Sequence, residues 1–177
     1  MHCEQNRLCI YCESKIDITH NSSHFEHIKP KSLDVNNLTF DYDNLAISCN
    51  GNAYNDVGDK TRYNCGHPKD NSYDESKFLD PTKDKNIREY FKYDYDDFKI
   101  TPTEKDSIKA QYMIDILSLN NPRLIVARKT IYHSFRNKIA KIKDINKRNA
   151  YLKKILVSET VAFTSFFRFK YPSIILK

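Results

Sequence analysis

From Thr103 to Leu119 the apolar positions Ile108, Tyr112 and Ile116 recur every four residues, with Met113 and Leu117 beside them. That spacing predicts a helix. Thr103 reads as its N-cap, with Asp106 three residues on, and Asn120-Asn121-Pro122 breaks it. Leu124, Ala127, Ile131, Phe135, Ile139 and Ile142 follow at spacings of three and four. They predict a second helix from about Arg123 to Ile145, apolar on one face and basic on the other. A third is expected from about Arg148 to Val157, and a fourth from Thr160 to Phe169, ended by Pro172. The run Tyr90–Tyr95 with Phe98–Ile100 suggests a hairpin, closed off by Pro102. Residues 8–70 do not share this periodicity. They are rich in Asn, Asp and Ser and read as short strands and loops with little apolar core, a region that needs a staple.

Composition narrows the class. With three glycines in 177 residues, long flexible linkers are not expected. No apolar run approaches the roughly 18 residues of a membrane helix, and Met1–Arg7 lacks the apolar core of a leader peptide. A cytoplasmic location is therefore expected, where five cysteines stay reduced and metal binding is the first reading. Charge is polarised. From Asn120 to Lys177 there are 14 Lys/Arg against two acids, whereas residues 1–119 carry 15 basic and 21 acidic residues. A basic face of this kind suits a polyanion or an acidic partner, and equally suits plain solvation.

The cysteines supply the staple. Cys9-Ile10-Tyr11-Cys12 is a Cys-x-x-Cys pair, and Cys49 and Cys65 follow, separated by 15 residues. Four thiolates can close a tetrahedral structural zinc site, two of them from one tight turn. A thioredoxin-like redox motif shares the pair but wants a βαβ context, which the pattern lacks. The segment Asn50–Asn64 then reads as an insertion within the second knuckle. Cys3 stands outside the pattern, although it could replace one ligand.

Between the cysteine pairs lies His24-Phe25-Glu26-His27-Ile28-Lys29-Pro30-Lys31, followed by Asp43-Asn44-Leu45 and later Cys65-Gly66-His67-Pro68-Lys69. In this order the chain resembles the HNH endonucleases, whose ββα-metal fold grips a divalent ion between a hairpin and a helix. Leu79-Asp80-Pro81 and Leu117–Leu124 extend the likeness toward the PtuB-type HNH proteins of retron and Septu anti-phage systems, over residues 9 to about 135. The resemblance implies an α+β fold: a zinc-stapled ββα-metal core over residues 1–101 and a basic helical extension over 102–177.

It also implies roles. His27 is the general base, an imidazole titrating near neutral pH. Glu26 offers oxygen to a catalytic Mg2+ or Mn2+, and His67 completes that site unless Asn50, Asn52 or Asn55 takes its place. Asn44 holds the His-bearing loop. Neighbouring strand residues face opposite ways, so Glu26 and His27 need a bend or bulge to share one site. Lys29, Lys31 and Lys69 flank the motifs and could meet phosphate oxygens. The implied activity is phosphodiester hydrolysis, with DNA favoured over RNA or tRNA. The implied partners are an ABC/SMC-like ATPase (PtuA-like) and a retron's reverse transcriptase and non-coding RNA or DNA. A non-catalytic zinc module that binds nucleic acid or protein is the alternative, but it has no use for a Glu-His pair between knuckles. Finally, the aromatics near the C-terminus invite a docking reading, with Phe166, Phe167 and Tyr171 as anchors for the ATPase, set against burial in the chain's own core.

Overall fold

In the computed structural model, residues 1, 3–17, 22–33, 37–51 and 63–175 are described. The Cys-rich segment opens with a tight knuckle. Cys9 N–H donates to the Ser14 carbonyl and Glu13 N–H to the Cys9 carbonyl, while Leu8 bridges Lys15. Strands β1 (Ser23–His27) and β2 (Leu45–Cys49) pair antiparallel, from Ser23 opposite Cys49 to His27 opposite Leu45. The single helical turn α1 (Gly66–Lys69) begins directly after Cys65. The ribbon and this turn form the small ββα unit.

The aromatic run folds as the expected hairpin, β3 (Phe91–Tyr93) against β4 (Ile100–Pro102). Pro102 is part of its edge rather than its terminator. The division expected after residue 101 falls inside β4.

Helices α2 (Ser107–Ile116), α3 (Pro122–Ala140), α4 (Ile145–Ser158), α5 (Thr164–Lys170) and α6 (Pro172–Ile175) complete the chain. Their starts follow side-chain chemistry. Asp106, Asn121 and Asp144 each accept a hydrogen bond from the first turn of their helix, satisfying N–H groups that have no partner within it. Thr103, the expected cap, instead donates its hydroxyl to the Glu89 carbonyl at 2.7 Å. The buried stripe of α2 is Ala110, Met113 and Ile114, continued by Leu117, and Ile108 is left exposed. Tyr112 stays at the rim because its hydroxyl accepts from Asp74 N–H at 2.8 Å.

One apolar core runs through both halves of the sequence. Phe166 and Phe167, fully buried, pack with Tyr93, Tyr95, Phe98, Tyr132 and Phe135, and the Phe135–Phe167 ring centroids are 4.4 Å apart. This corrects the docking reading: Phe166 and Phe167 are core, and an anchor must be accessible to a partner. Tyr171 is half-buried against the same cluster. The tail is also tied to the knuckle. Phe163 N–H donates to the Glu13 carbonyl, and Ser165 donates its N–H and hydroxyl to the Glu13 carboxylate at 2.7 and 2.6 Å. Arg88 bridges Glu13, Glu159 and Ser165.

Among the described residues, no helix is long and apolar enough to cross a membrane.

Candidate metal centres and the HNH motif

Three segments deliver the four thiols. The knuckle brings Cys9 and Cys12, β2 ends on Cys49, and Cys65 precedes α1. All four are buried, and their sulfurs lie within 4.8 Å of one another. Ligands about 2.3 Å from a tetrahedral zinc sit about 3.8 Å apart, so the cluster is close to the size of that ion's shell. Cys3 is exposed and outside it.

The surroundings suit bound thiolate. Cys49 N–H donates to Cys9 Sγ at 3.3 Å, and the buried amide of Asn64 donates to Cys49 Sγ and Cys65 Sγ at 3.3 and 3.0 Å. Arg123 holds Asn64 Oδ1 at 2.9 Å, bringing positive charge to the sulfurs' outer side. Donation from the Cys12 thiol, then from those of Cys65 and Cys9, keeps the Cys49 thiol well below its ordinary pKa, whereas burial pushes Cys65 well above. Four packed thiols share their protons unevenly until a cation takes them over.

The second cluster lies on the ribbon face covered by α1. His24 and Glu26, two apart on β1, project the same way. Glu26 is buried, and its Oε1 accepts from Lys69 Nζ at 2.8 Å and Tyr11 Oη at 3.1 Å. Its Oε2 lies 3.4 Å from His24 Nε2. Burial works against the Glu26 charge, but His24 and Lys69 outweigh it and hold the carboxyl below its usual range. His67, on α1, places its ring centroid 4.6 Å from that of His24. Its Nε2 is buried without a hydrogen-bond partner among the described residues, and burial followed by the nearby His24 lowers its pKa. An orphaned imidazole nitrogen beside a carboxylate and a second imidazole fits a metal ligand.

His27 does not join this cluster. The ladder continues unbroken through His27 opposite Leu45, with none of the bend or bulge that would turn it toward Glu26. Its ring faces the loop instead, with Nε2 2.9 Å from the Thr39 carbonyl. A carbonyl only accepts, so the proton sits on Nε2 and Nδ1 keeps its lone pair. Asn44 fixes the loop after β1. Its Oδ1 accepts from Lys29 N–H at 2.8 Å, and its Nδ2 donates to the Lys29 and Leu38 carbonyls at 3.1 Å.

The flanking lysines divide. Lys31 is exposed. Lys29 is partly covered and lies 3.5 Å from Glu75. Lys69 is buried, and its ammonium is spent on Glu26 and on the His27 carbonyl at 2.9 Å. It cannot reach a phosphate, which corrects that reading: a charge so deep needs protein partners rather than solvent. Asn50, a candidate ligand, accepts from His24 Nδ1 at 2.7 Å. Asn52 and Asn55 lie outside the described residues.

Residues 9–51 match the family model described as HNH endonuclease. The chain is also 35% identical over 135 residues to the "retron Vc95 putative HNH endonuclease" of Vibrio cholerae serotype O1 biovar El Tor. That alignment covers 73% of this chain and 60% of the relative's own length. The expected fold class agrees with what is found: an HNH segment of small sheets and turns, four clustered cysteines able to hold zinc, and a helical C-terminal part.

Three participants escaped the sequence reading: His24, Gly66 and Tyr11. His24 was within reach, because the period of two along a strand puts it on the face of Glu26. Tyr11 and Gly66 depend on how separate segments pack, and no local spacing announces them.

Proposed function

We propose that this chain is a metal-dependent endonuclease that hydrolyses phosphodiester bonds, with zinc in the Cys9/Cys12/Cys49/Cys65 cluster as its structural staple. The observation that carries the reading is the buried Nε2 of His67, without a partner among the described residues, on the helical turn laid against Glu26. Glu26 and His67 would hold the catalytic divalent ion. When bound, that ion supplies charge to stabilise the leaving oxygen.

The protein's own groups do the rest. His27, its proton held on Nε2 by the Thr39 carbonyl, takes a proton from the attacking water at Nδ1. Asn44 keeps the loop that follows His27 in place. Lys69 orients the Glu26 carboxylate and leaves its second oxygen to the ion. Because the Glu26 and His27 side chains face opposite sides of β1, the substrate phosphate must approach at the strand's end, where His27 closes the ladder.

The biological setting rests on likeness. The relative's name associates that protein with a retron, and the motifs resemble PtuB-type nucleases. On that basis the chain acts as the nuclease of an anti-phage complex with an ABC/SMC-like ATPase, alongside a retron's reverse transcriptase and RNA or DNA. DNA is the favoured substrate, with tRNA the competing one.

The test is cleavage of plasmid, single-stranded DNA and tRNA by the chain copurified with its ATPase, with and without divalent ion. His27→Ala should lower the rate by roughly 10²–10⁴ while zinc content and melting temperature hold. Binding of nucleic acid without cleavage, whatever the ion, would favour the non-catalytic zinc module.

A further inference from the structure

The geometry points to His24 as a third ligand of the catalytic ion. His24 Nε2, Glu26 Oε2 and His67 Nε2 then form a two-imidazole, one-carboxylate set that takes a first-row transition ion such as Mn2+ in preference to Mg2+. This rests on the nuclease reading for the ion's role, but its evidence is atomic and separate.

Groups outside the cluster leave each donor atom free, and the 3.4 Å contact between His24 Nε2 and Glu26 Oε2 is the one an ion would replace. His24 Nδ1–H is committed to Asn50 Oδ1 at 2.7 Å, so Nε2 carries the lone pair. Glu26 Oε1 is saturated by Lys69 Nζ at 2.8 Å and Tyr11 Oη at 3.1 Å, so Oε2 is the open oxygen. His67 Nε2 is buried and has no partner among the described residues. Outer groups that fix tautomer and carboxylate orientation in this way are what a ligand set requires. The 3.4 Å between His24 Nε2 and Glu26 Oε2 matches the roughly 3.0–3.4 Å between two ligands held at about 2.1 Å from one ion.

Gly66 supplies an independent sign. A Cβ built there would lie 2.3 Å from Glu26 Oε2 and 2.6 Å from His24 Nε2. The backbone of α1 therefore comes down onto these two donors and tolerates no side chain, and the ring of the next residue, His67, lies with its centroid 4.6 Å from that of His24. Two imidazoles favour a first-row transition ion over magnesium, which prefers oxygen ligands and gives up water reluctantly.

The probe is Mn2+ added to zinc-loaded full-length chain, followed by paramagnetic resonance. Loss of the free-ion signal gives affinity, and nitrogen hyperfine coupling counts imidazoles. One Mn2+ per chain with two coupled nitrogens is expected, and a hundredfold excess of Mg2+ should not displace it. His24→Ala and His24→Gln should each weaken Mn2+ at least tenfold and leave one coupled nitrogen, with zinc stoichiometry and melting temperature retained. His27→Ala should leave both readouts unchanged. A single coupled nitrogen in the unmodified chain, displacement by equal Mg2+, or unaltered affinity in the His24 variants overturns the proposal. Those results would leave the nuclease reading intact provided cleavage still depends on metal and on His27. Conversely, two-nitrogen Mn2+ binding without cleavage on any substrate would sustain the site and defeat the nuclease reading.

Discussion

The two halves of this protein are held by different forces. Around the ribbon, the organising residues are four thiols, a buried Lys69–Glu26 pair and the amides of Asn44 and Asn64. Around α3 to α5 they are aromatic rings packed edge to face or tilted, with Tyr93, Tyr132, Phe135, Phe166 and Phe167 interlocked. A short segment rich in Asn, Asp and Ser can place reactive groups closely if a metal in its thiol cluster supplements the small share of the apolar core it contributes. The ring-packed half carries no such cluster among its described residues and serves as the wall on which the ribbon is mounted. Glu13 joins the two: it follows the knuckle and is clamped by Ser165 and Arg88.

The sharpest way to break this contrast is to remove the metal. Cys49→Ser should abolish zinc binding, and because a structural zinc's binding energy is folding energy, the ribbon should lose its order outright. Hydrogen exchange should show protection collapsing across residues 8–49 while α3 and α4 retain theirs. Uniform loss in both halves would mean that the aromatic wall depends on the staple as well.

The opposite lesion comes next. Phe167→Ala removes a fully buried ring and should cost about 3–5 kcal/mol. Denaturant melts would show it, while metal analysis should still find one zinc per folded chain. A near-neutral effect would return the docking reading to Phe167, because an interface anchor adds little to the isolated chain's stability.

These two lesions also separate what the sequence disclosed from what it hid. Spacing of three and four located α3 and α4, since a long helix repeats its signal many times. The thiol cluster was legible because Cys-x-x-Cys is tied to one geometry. The face of α2 was misjudged at Ile108, where the packing of Asp74 on Tyr112 and of Leu79 on Met113 set the rotation. Lys69 looked like any surface lysine, and only the approach of α1 to β1 buries it. Phe166 and Phe167 left two readings open because periodicity marks an apolar face without saying what covers it.

The joint between the halves can be probed alone. Glu13→Ala removes a carboxylate that accepts from the Ser165 N–H and hydroxyl and from Arg88. Hydrogen bonds to a charged group contribute about 1.5–3 kcal/mol, and a loss in that range is expected in denaturant melts. Glu13→Gln should recover part of it. Zinc content should hold in both variants, because the four thiols stay in place. Zinc loss on Glu13→Ala would mean instead that α5 positions the knuckle for its ion.

The smallest effect belongs to the exposed lysines, and it ranks three residues that look alike in the sequence. Each phosphate contact made by a lysine releases counterions, so its loss lowers the slope of log affinity against log salt by roughly 0.7–0.9. Lys31 is exposed, and Lys31→Ala should show that full change. Lys29 lies 3.5 Å from Glu75, which competes for its charge, so Lys29→Ala should change the slope less. Lys69 is committed to Glu26 and to the His27 carbonyl. Lys69→Met should therefore leave the salt slope alone and cost stability instead, about 3–5 kcal/mol for stranding a buried carboxylate. The slopes are best measured on a His27→Ala background, where the nucleic acid survives titration. Equal slopes for Lys31→Ala and the parent would remove Lys31 from the substrate path. A slope change on Lys69→Met would mean that α1 lifts off β1 when nucleic acid binds, and that the buried ammonium is exchanged onto a phosphate.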